Sequence, residues 1–521
     1  MTKTDNNLNK QYICFINAII YKKNIDYKKA IKECITGLEL TGLKINLEKF
    51  KINVVISENE LKLICLLLEI LLEENLINIL DIYNYWKEVI NYIDEKCTDD
   101  EYKLNFYIMS FYNIAYILYL NNKYDESLLY VDKGIKCIIN NKSIYYLKNF
   151  LLLLVNLNDY ISYELFSISK NIKYKDIGVI LETIEQWSLK NFEEKEVYIR
   201  PYNSVYSINE VIRNTRNYSN KTQEELMLSK DMKSFIGNQY NISNIENCKQ
   251  TPNKKSSKNF LQALDIGNEE ESYRLSIIED NFELQELGYK IDFYISIYNY
   301  EEALLLLNDL ESKINMSNIY NKQYIEKLRL FIKNGINALP CEEYKNEIIK
   351  ILSITIKDID KLKTEKWERF FTKEELRLLL NIGGAYHRGK NYEEALIWYK
   401  KLEEYFEKFY TSSGIIVYRT LMYSLSQIYG LLGFYEKSIE KSKNCIFMDI
   451  LNTKIYDFNR ALFNIGWCYA KIMLKDNNNL KSIYKENCYK ILKQSYHLSK
   501  LYNDNIVIDE INKLITLWNL E

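Results

Sequence analysis

Proline, glycine and histidine are scarce: 521 residues hold three Pro, fifteen Gly and two His. So little Gly and Pro leaves no material for β-hairpin turns, propellers or long βα loops, and the Leu, Ile, Lys, Glu and Asn that fill the chain favour helices. With only His387 and His497, a zinc finger or a two-histidine metalloprotease helix lacks its ligands. The ten Cys are scattered without one Cys-x-x-Cys and without paired spacing, the pattern of reduced thiols in a cytoplasmic protein. No metal and no cofactor is expected. Charge of one sign is also lacking: 69 Lys and Arg against 71 Asp and Glu give −2. That excludes a globally basic nucleic-acid coat but leaves room for a local basic face. The first ten residues carry no apolar signal core, and the greasiest run, Leu61 to Leu80, is interrupted by glutamates and a lysine. Neither secretion nor a membrane span is expected. No P-loop, no Gly-x-Gly-x-x-Gly and no nucleophile motif beside either His occurs, so the chain reads as a non-enzyme.

What is present is a spacing pattern: a small residue, an apolar or Tyr residue three later, and small residues at twelve and sixteen. It runs through Ala18, Tyr21, Ala30 and Cys34, then through Ala115, Leu118, Ser127 and Val131. It returns as Gly383, Tyr386, Ala395, Tyr399 and as Ser426, Tyr429, Ser438, Ser442. A Tyr stands three before the second small residue at Tyr27, Tyr124, Tyr300, Tyr392 and Tyr435. Small residues let two helices approach closely, an aromatic fills the gap to the next pair, and Asn or Gly turns the chain between them. These spacings resemble the tetratricopeptide repeat, most closely in Leu380-Asn-Ile-Gly-Gly-Ala-Tyr386 through Ala395. The distances from Tyr386 to Tyr429 and on to Tyr469 exceed the standard repeat of about 34 residues, which predicts elongated helix pairs.

Between Pro201 and Gly267 Ser, Thr, Asn and Gln rise and the long helical periodicity breaks. Thr222 followed by Glu225 reads as a capping box that opens a helix, with Gln223 turned toward a phosphate or a base edge. Val211, Ile212, Leu226, Ile242, Ile245, Phe260 and Leu264 supply a small apolar core, and Pro252 stops a third helix. The segments around 208–216, 222–226, 242–252 and 260–264 together resemble a lambda-repressor-like helix-turn-helix, which implies four short helices. Twenty positions from Thr222 to Ile242 exceed a compact motif, so either the second helix lengthens through Met232 or a loop is inserted. Asn238, Gln239, Asn241, Ser243 and Asn244 are the candidates for reading base edges, without the Arg that commonly reads guanine. Over 203–266 nine Lys or Arg stand against six Asp or Glu. Arg213, Arg216, Lys249, Lys254 and Lys255 are expected on a phosphate-facing rim.

The expected fold is all-α: a tetratricopeptide-like helical solenoid interrupted by a small central helix-turn-helix domain. The expected domains are 1–197, a first array; 198–268, the helix-turn-helix; and 269–521, a second array. This plan resembles clostridial helix-turn-helix regulators with tetratricopeptide repeats, related in plan to the peptide-pheromone-sensing Rap, NprR, PlcR and PrgX group. In that group the DNA-binding module is usually N-terminal, whereas here it is central. The resemblance implies a cytoplasmic homodimeric transcription regulator whose partners are double-stranded DNA and a short signalling peptide or protein in the concave groove. The alternative is a protein-interaction scaffold with a degenerate helix-turn-helix. For the groove, one helix position gives Asn113, Asn381, Ser424 and Asn464, a row of amides suited to an extended peptide backbone. Gln427, Arg388 and Arg460 are expected nearby, the arginines for a carboxylate.

Overall fold

The computed structural model describes residues 7–46, 50–97, 100–158, 160, 174–188, 209, 212–213, 216–217, 221–228, 239–247, 249–250, 254–264, 282–296, 298–365, 367, 371–408, 415–475 and 481–518. They are mostly helical, and no strand occurs among them; none of their helices is long and apolar enough to cross a membrane. The chain divides into two compact units. One draws on Met1–Gln186, Thr453–Tyr456 and Tyr496–Ile508; the other draws on Trp187–Asn452, Asp457–Ser495 and Asp509–Glu521.

The first unit opens with helix pairs α1 (Asn7–Lys23) and α2 (Tyr27–Glu39), then α3 (Glu58–Glu73) and α4 (Ile79–Lys96). They are followed by α5 (Asp100–Leu120) and α6 (Tyr124–Asn140), then α7 (Leu147–Leu157) and α8 (Tyr174–Gln186). Next come the short helices α9 (Gln223–Leu228), α10 (Gln239–Glu246) and α11 (Lys254–Ala263). The second array is α12 (Phe282–Ser296), α13 (Tyr300–Lys313), α14 (Ile319–Ile336), α15 (Cys341–Leu352), α16 (Ile359–Thr364), α17 (Lys373–Arg388) and α18 (Tyr392–Lys408). It continues as α19 (Ile415–Leu431), α20 (Tyr435–Leu451), α21 (Phe458–Lys475), α22 (Lys481–Leu501) and α23 (Asn505–Trp518). Neighbouring helices pack in pairs, α1 on α2, α5 on α6, α12 on α13, α17 on α18 and α19 on α20 among them.

One turn is repeated at six corners. Two residues before the second helix of a pair the chain enters the left-handed region, at Ile25, Asn122, Tyr298, Lys390, Gly433 and Asn503. The next backbone N–H then donates five residues back, as Asp26 to Tyr21 at 2.9 Å, Lys123 to Leu118 at 2.9 Å, Asn391 to Tyr386 at 3.0 Å and Phe434 to Tyr429 at 2.8 Å. This closes the carbonyls left open at the first helix's end. Asn and Gly suit the corner conformationally, as expected; Ile25, Tyr298 and Lys390 do not. The packed hairpin on either side imposes the turn on them.

The small residues do what their spacing implies, and the serines add a bond. Ser127 donates its hydroxyl to the Ala115 carbonyl at 2.7 Å, and Ser438 donates to the Ser426 carbonyl at 2.6 Å. Each bond ties the second helix to its partner at the closest approach. At Gly383 a methyl group would overlap the Tyr399 ring, which is itself buried. Gly383→Ala is therefore expected to lower stability by about 1–3 kcal/mol through overpacking, read as a lower urea midpoint with unchanged slope. Equal midpoints would mean that Tyr399 can step aside.

Within the first unit, residues remote in sequence meet: the Ile144 N–H donates to the Thr453 carbonyl at 3.0 Å and the Ile455 N–H to the Lys142 carbonyl at 2.8 Å. Tyr502 adds a hydroxyl bond to the Ser143 carbonyl at 2.5 Å.

Candidate functional site

The central module is built around the capping box that its sequence announces. The Thr222 N–H donates to Glu225 Oε2 at 2.6 Å, and the Glu225 N–H donates to Thr222 Oγ1 at 3.1 Å. These bonds hold the Glu225 carboxyl below the usual carboxylate range. The expected apolar core is there: Ile212, Leu226, Ile242, Ile245, Phe260 and Leu264 are all buried, while Val211 lies outside the described residues. Helix α9 ends at Leu228; Met232, Asn238, Cys248 and Pro252 also lie outside the described residues.

At the centre of the polar contacts is Glu246, the last residue of α10 and only 3 % exposed. Arg216 grips its carboxylate with Nε and Nη2, the latter 2.8 Å from Oε2, and gives Nη1 to the Lys221 carbonyl at 2.7 Å. Gln223 donates to the same Oε2 at 2.7 Å, and Arg213 reaches the Glu246 carbonyl at 3.4 Å. Asn209 completes the arrangement with bonds to the Ile245 and Gln250 carbonyls at 2.6 and 2.7 Å. Arg213, Arg216 and Gln223, expected to face a duplex, are thus turned inward. The reason is the buried end of α10: the Glu246 carboxylate takes Arg216 and Gln223, and the Glu246 carbonyl takes Arg213.

Of the remaining candidates, Lys249 is exposed, while Ser243 and Asn244 are half-buried on α10. Gln239 opens α10 and Asn241 follows within it; Lys254 and Lys255 open α11. Of the cations expected on a rim, Lys249 stands exposed, whereas Arg213 and Arg216 pack against the end of α10.

The asparagine row is drawn into packing. Asn464, 8 % exposed, donates to Ser438 Oγ at 2.9 Å and Ser442 Oγ at 3.0 Å, across to α20. Asn113, 4 % exposed, donates to the Met109 carbonyl of its own helix at 3.0 Å. Asn381 donates to the Arg377 carbonyl at 2.8 Å and accepts the Tyr344 hydroxyl at 3.0 Å. Ser424 is half-buried beside Tyr399, whose hydroxyl burial pushes up to about 12. Gln427 donates to the Tyr423 hydroxyl at 3.0 Å, Arg460 is half-buried, and exposed Arg388 lies over the Tyr344 ring at 4.4 Å. An amide on a tightly packed helix finds a neighbour before it finds a ligand, so the row is not an open ladder.

A charged cluster that spacing did not disclose joins three helices of the second array. Lys327 of α14 is fully buried and pairs with Glu374 of α17; Arg377 lies 3.2 Å from Asp292 of α12 and 3.6 Å from Glu374. Burial alone would raise the Glu374 carboxyl, but Lys327 and Arg377 outweigh it and hold the group well below the usual range. The available sequence signal was Lys327 itself, standing in an otherwise apolar face between Tyr324 and Leu328.

No protein-family model matches the chain, and no curated protein matches it. Among solved structures it is similar to PlcR of Bacillus thuringiensis in complex with the peptide PapR7 and DNA, at 13 % identity and a TM-score of 0.34, over 58 % of this chain and 99 % of that one. It is also similar to a signal-transduction ATPase with numerous domains and a tetratricopeptide repeat sensor from Pyrococcus horikoshii, at 15 % identity and a TM-score of 0.28, over 84 % of this chain and 74 % of that one. The helical-repeat fold itself rests on the hairpins and corners described above.

Proposed function

We propose that this chain is a DNA-binding transcription regulator whose tetratricopeptide-like arrays sense a short peptide or a protein partner, acting as a homodimer. The observation that carries the reading is the central module: a capped helix α9 and helix α10, tied by Glu246 beside a buried apolar core, between helix pairs on either side. Its sequence carries a net excess of cations. Lys249, Lys254 and Lys255 are the proposed phosphate contacts, with Gln239, Asn241, Ser243 and Asn244 toward base edges.

The test is binding of the full chain to DNA upstream of its own gene, with random DNA as competitor, over a salt series. Salt-sensitive preference for the upstream DNA is expected, and Lys249→Gln with Lys254→Gln and Lys255→Gln should flatten the log–log salt slope by about 3. Weak binding to any DNA, unchanged by the triple substitution, would favour the interaction scaffold and redirect the work to protein partners.

A further inference from the structure

One pentapeptide occurs twice in the chain, as Asn9-Lys10-Gln11-Tyr12-Ile13 on α1 and as Asn321-Lys322-Gln323-Tyr324-Ile325 on α14. The helices that follow keep step with each other. Ser57-Glu-Asn-Glu-Leu-Lys-Leu-Ile64 and Thr372-Lys-Glu-Glu-Leu-Arg-Leu-Leu379 open α3 and α17 with a capping box each. Tyr85-Trp-Lys-Glu-Val-Ile-Asn-Tyr92 on α4 answers Trp398-Tyr-Lys-Lys-Leu-Glu-Glu-Tyr405 on α18. The serine bonds described above then close α6 on α5 and α20 on α19. Through this whole stretch the separation of equivalent residues along the chain changes by no more than four positions.

Inside this frame the same chain of polar bonds recurs. Gln11 Nε2 donates to the Gly37 carbonyl and to Thr41 Oγ1, both at 3.0 Å, and the Thr41 hydroxyl donates onward to Glu60 Oε1 at 2.5 Å. Gln323 Nε2 donates to the Ile351 carbonyl at 3.2 Å and to Thr355 Oγ1 at 2.8 Å, and the Thr355 hydroxyl donates to Glu375 Oε1 at 2.7 Å. Both glutamines and both glutamates are buried. Each glutamate is the third residue of its helix, and its other oxygen accepts the capping N–H, of Ser57 at 2.6 Å and of Thr372 at 2.8 Å. Just before each cap a tyrosine hydroxyl accepts a backbone N–H: Tyr92 from Ile56 at 2.9 Å, and Tyr405 from Phe371 at 3.1 Å. Even where the residues differ the contact persists, since Lys22 meets Glu73 at 3.0 Å and the equivalent Asn334 meets Arg388 at 3.4 Å. The corners after α6 and α20 match as well: Lys142 and Thr453 are both left-handed, at φ 45° and 54°.

Close packing of helix hairpins asks for small residues at the approach; it does not ask for an amide, a hydroxyl and a carboxylate in one fixed order. We propose that α1–α6 and α14–α20 are two copies of one six-helix module made by internal duplication, the short α16 being added in the second. In each copy the Gln–Thr–Glu chain is an interlock that sets the second helix pair on the first. The threonine hydroxyl is its joint: it accepts from the first helix and donates to the third, so one oxygen fixes the step between the pairs.

Hydrogen exchange on the full chain tests both parts. Thr41→Val and Thr355→Val keep the branched shape and remove the hydroxyl, leaving a buried amide and a buried carboxylate oxygen without that partner. Each should speed exchange about tenfold in the last turn of α2 or α15 and the first two turns of α3 or α17, the effect of about one lost hydrogen bond, while the other copy keeps its rates. Thr41→Ser and Thr355→Ser, which restore the hydroxyl, should return the original rates. If valine loosens a whole unit, Gln11→Met and Gln323→Met cut the chain of bonds at its first donor and should give the same paired local pattern. Original rates in the valine or methionine variants, or serine variants no better than valine, overturn the interlock. Acceleration in one copy without its counterpart in the other overturns the equivalence of the copies.

Discussion

Glu246→Ala is expected to abolish preferential DNA binding and to cost the central module about 3–5 kcal/mol, the penalty for leaving a buried charge without its partner. The Arg216 side chain is 13 % exposed, and its ion pair with Glu246 is the charged link, beside the bonds of Asn209 and Arg213, between the segment before α9 and the end of α10. Removing the carboxylate strands that guanidinium and also frees Gln223 from its 2.7 Å bond. The loss should be local, because additivity holds between distant sites. Hydrogen exchange is the measurement that separates local from global: amides of α9 to α11 should lose protection while those of α17 to α21 keep theirs. Unchanged protection in α10 would show that the apolar core around Phe260 and Ile242 is sufficient without the carboxylate. Glu246→Gln, which keeps hydrogen-bonding capacity without the charge, should fall between the two.

The second large effect is expected at Lys327. Lys327→Met removes the ammonium from a fully buried site and takes from Glu374, 5 % exposed, its strongest cation, leaving Arg377 at 3.6 Å and the charge of Lys373. A destabilisation of about 3–5 kcal/mol should follow, seen as a lower denaturant midpoint for the second unit. The pair is not itself a large source of stability, since taking both ions from water offsets most of their attraction. The double variant Lys327→Met with Glu374→Leu should therefore be less damaging than the single one, with Arg377 retaining Asp292 at 3.2 Å. If the double variant is the worse of the two, the network is cooperative through Arg377 and Tyr324, whose ring lies 4.6 Å from the Lys327 ammonium.

Much of the repeat architecture was legible because it depends on local spacing. Ala115 and Ser127, or Ser426 and Ser438, stand twelve apart because one hairpin brings them together, and a hairpin has only one tight approach. The capping box at Thr222 was legible for the same reason: donor and acceptor lie three residues apart. The module's core was readable from apolar residues that punctuate a polar segment.

The polar assignments fared differently. Arg213 and Arg216 look outward in sequence because they belong to a region richer in cations than in acids, and Gln223 because the capping box sets it in a helix's first turn. Their direction was decided by Glu246, 30 positions from Arg216. Asn464 likewise shares a register with Asn381, yet it bonds Ser438 and Ser442 on α20, whereas Asn381 meets Tyr344 on α15. The same residue type at the same helix position acquires different partners because side-chain hydrogen bonds follow the neighbouring helix and not the repeat.

Sequence by itself determined the helical class, the small-residue contacts and the opening of α9, all of which follow from periodicity and short spacing. Tertiary structure alone decided which charges are buried and which amides are already satisfied. Those depend on distances between helices far apart in the chain. A buried polar group takes whichever partner the packing brings within about 3 Å, a choice that no spacing rule encodes.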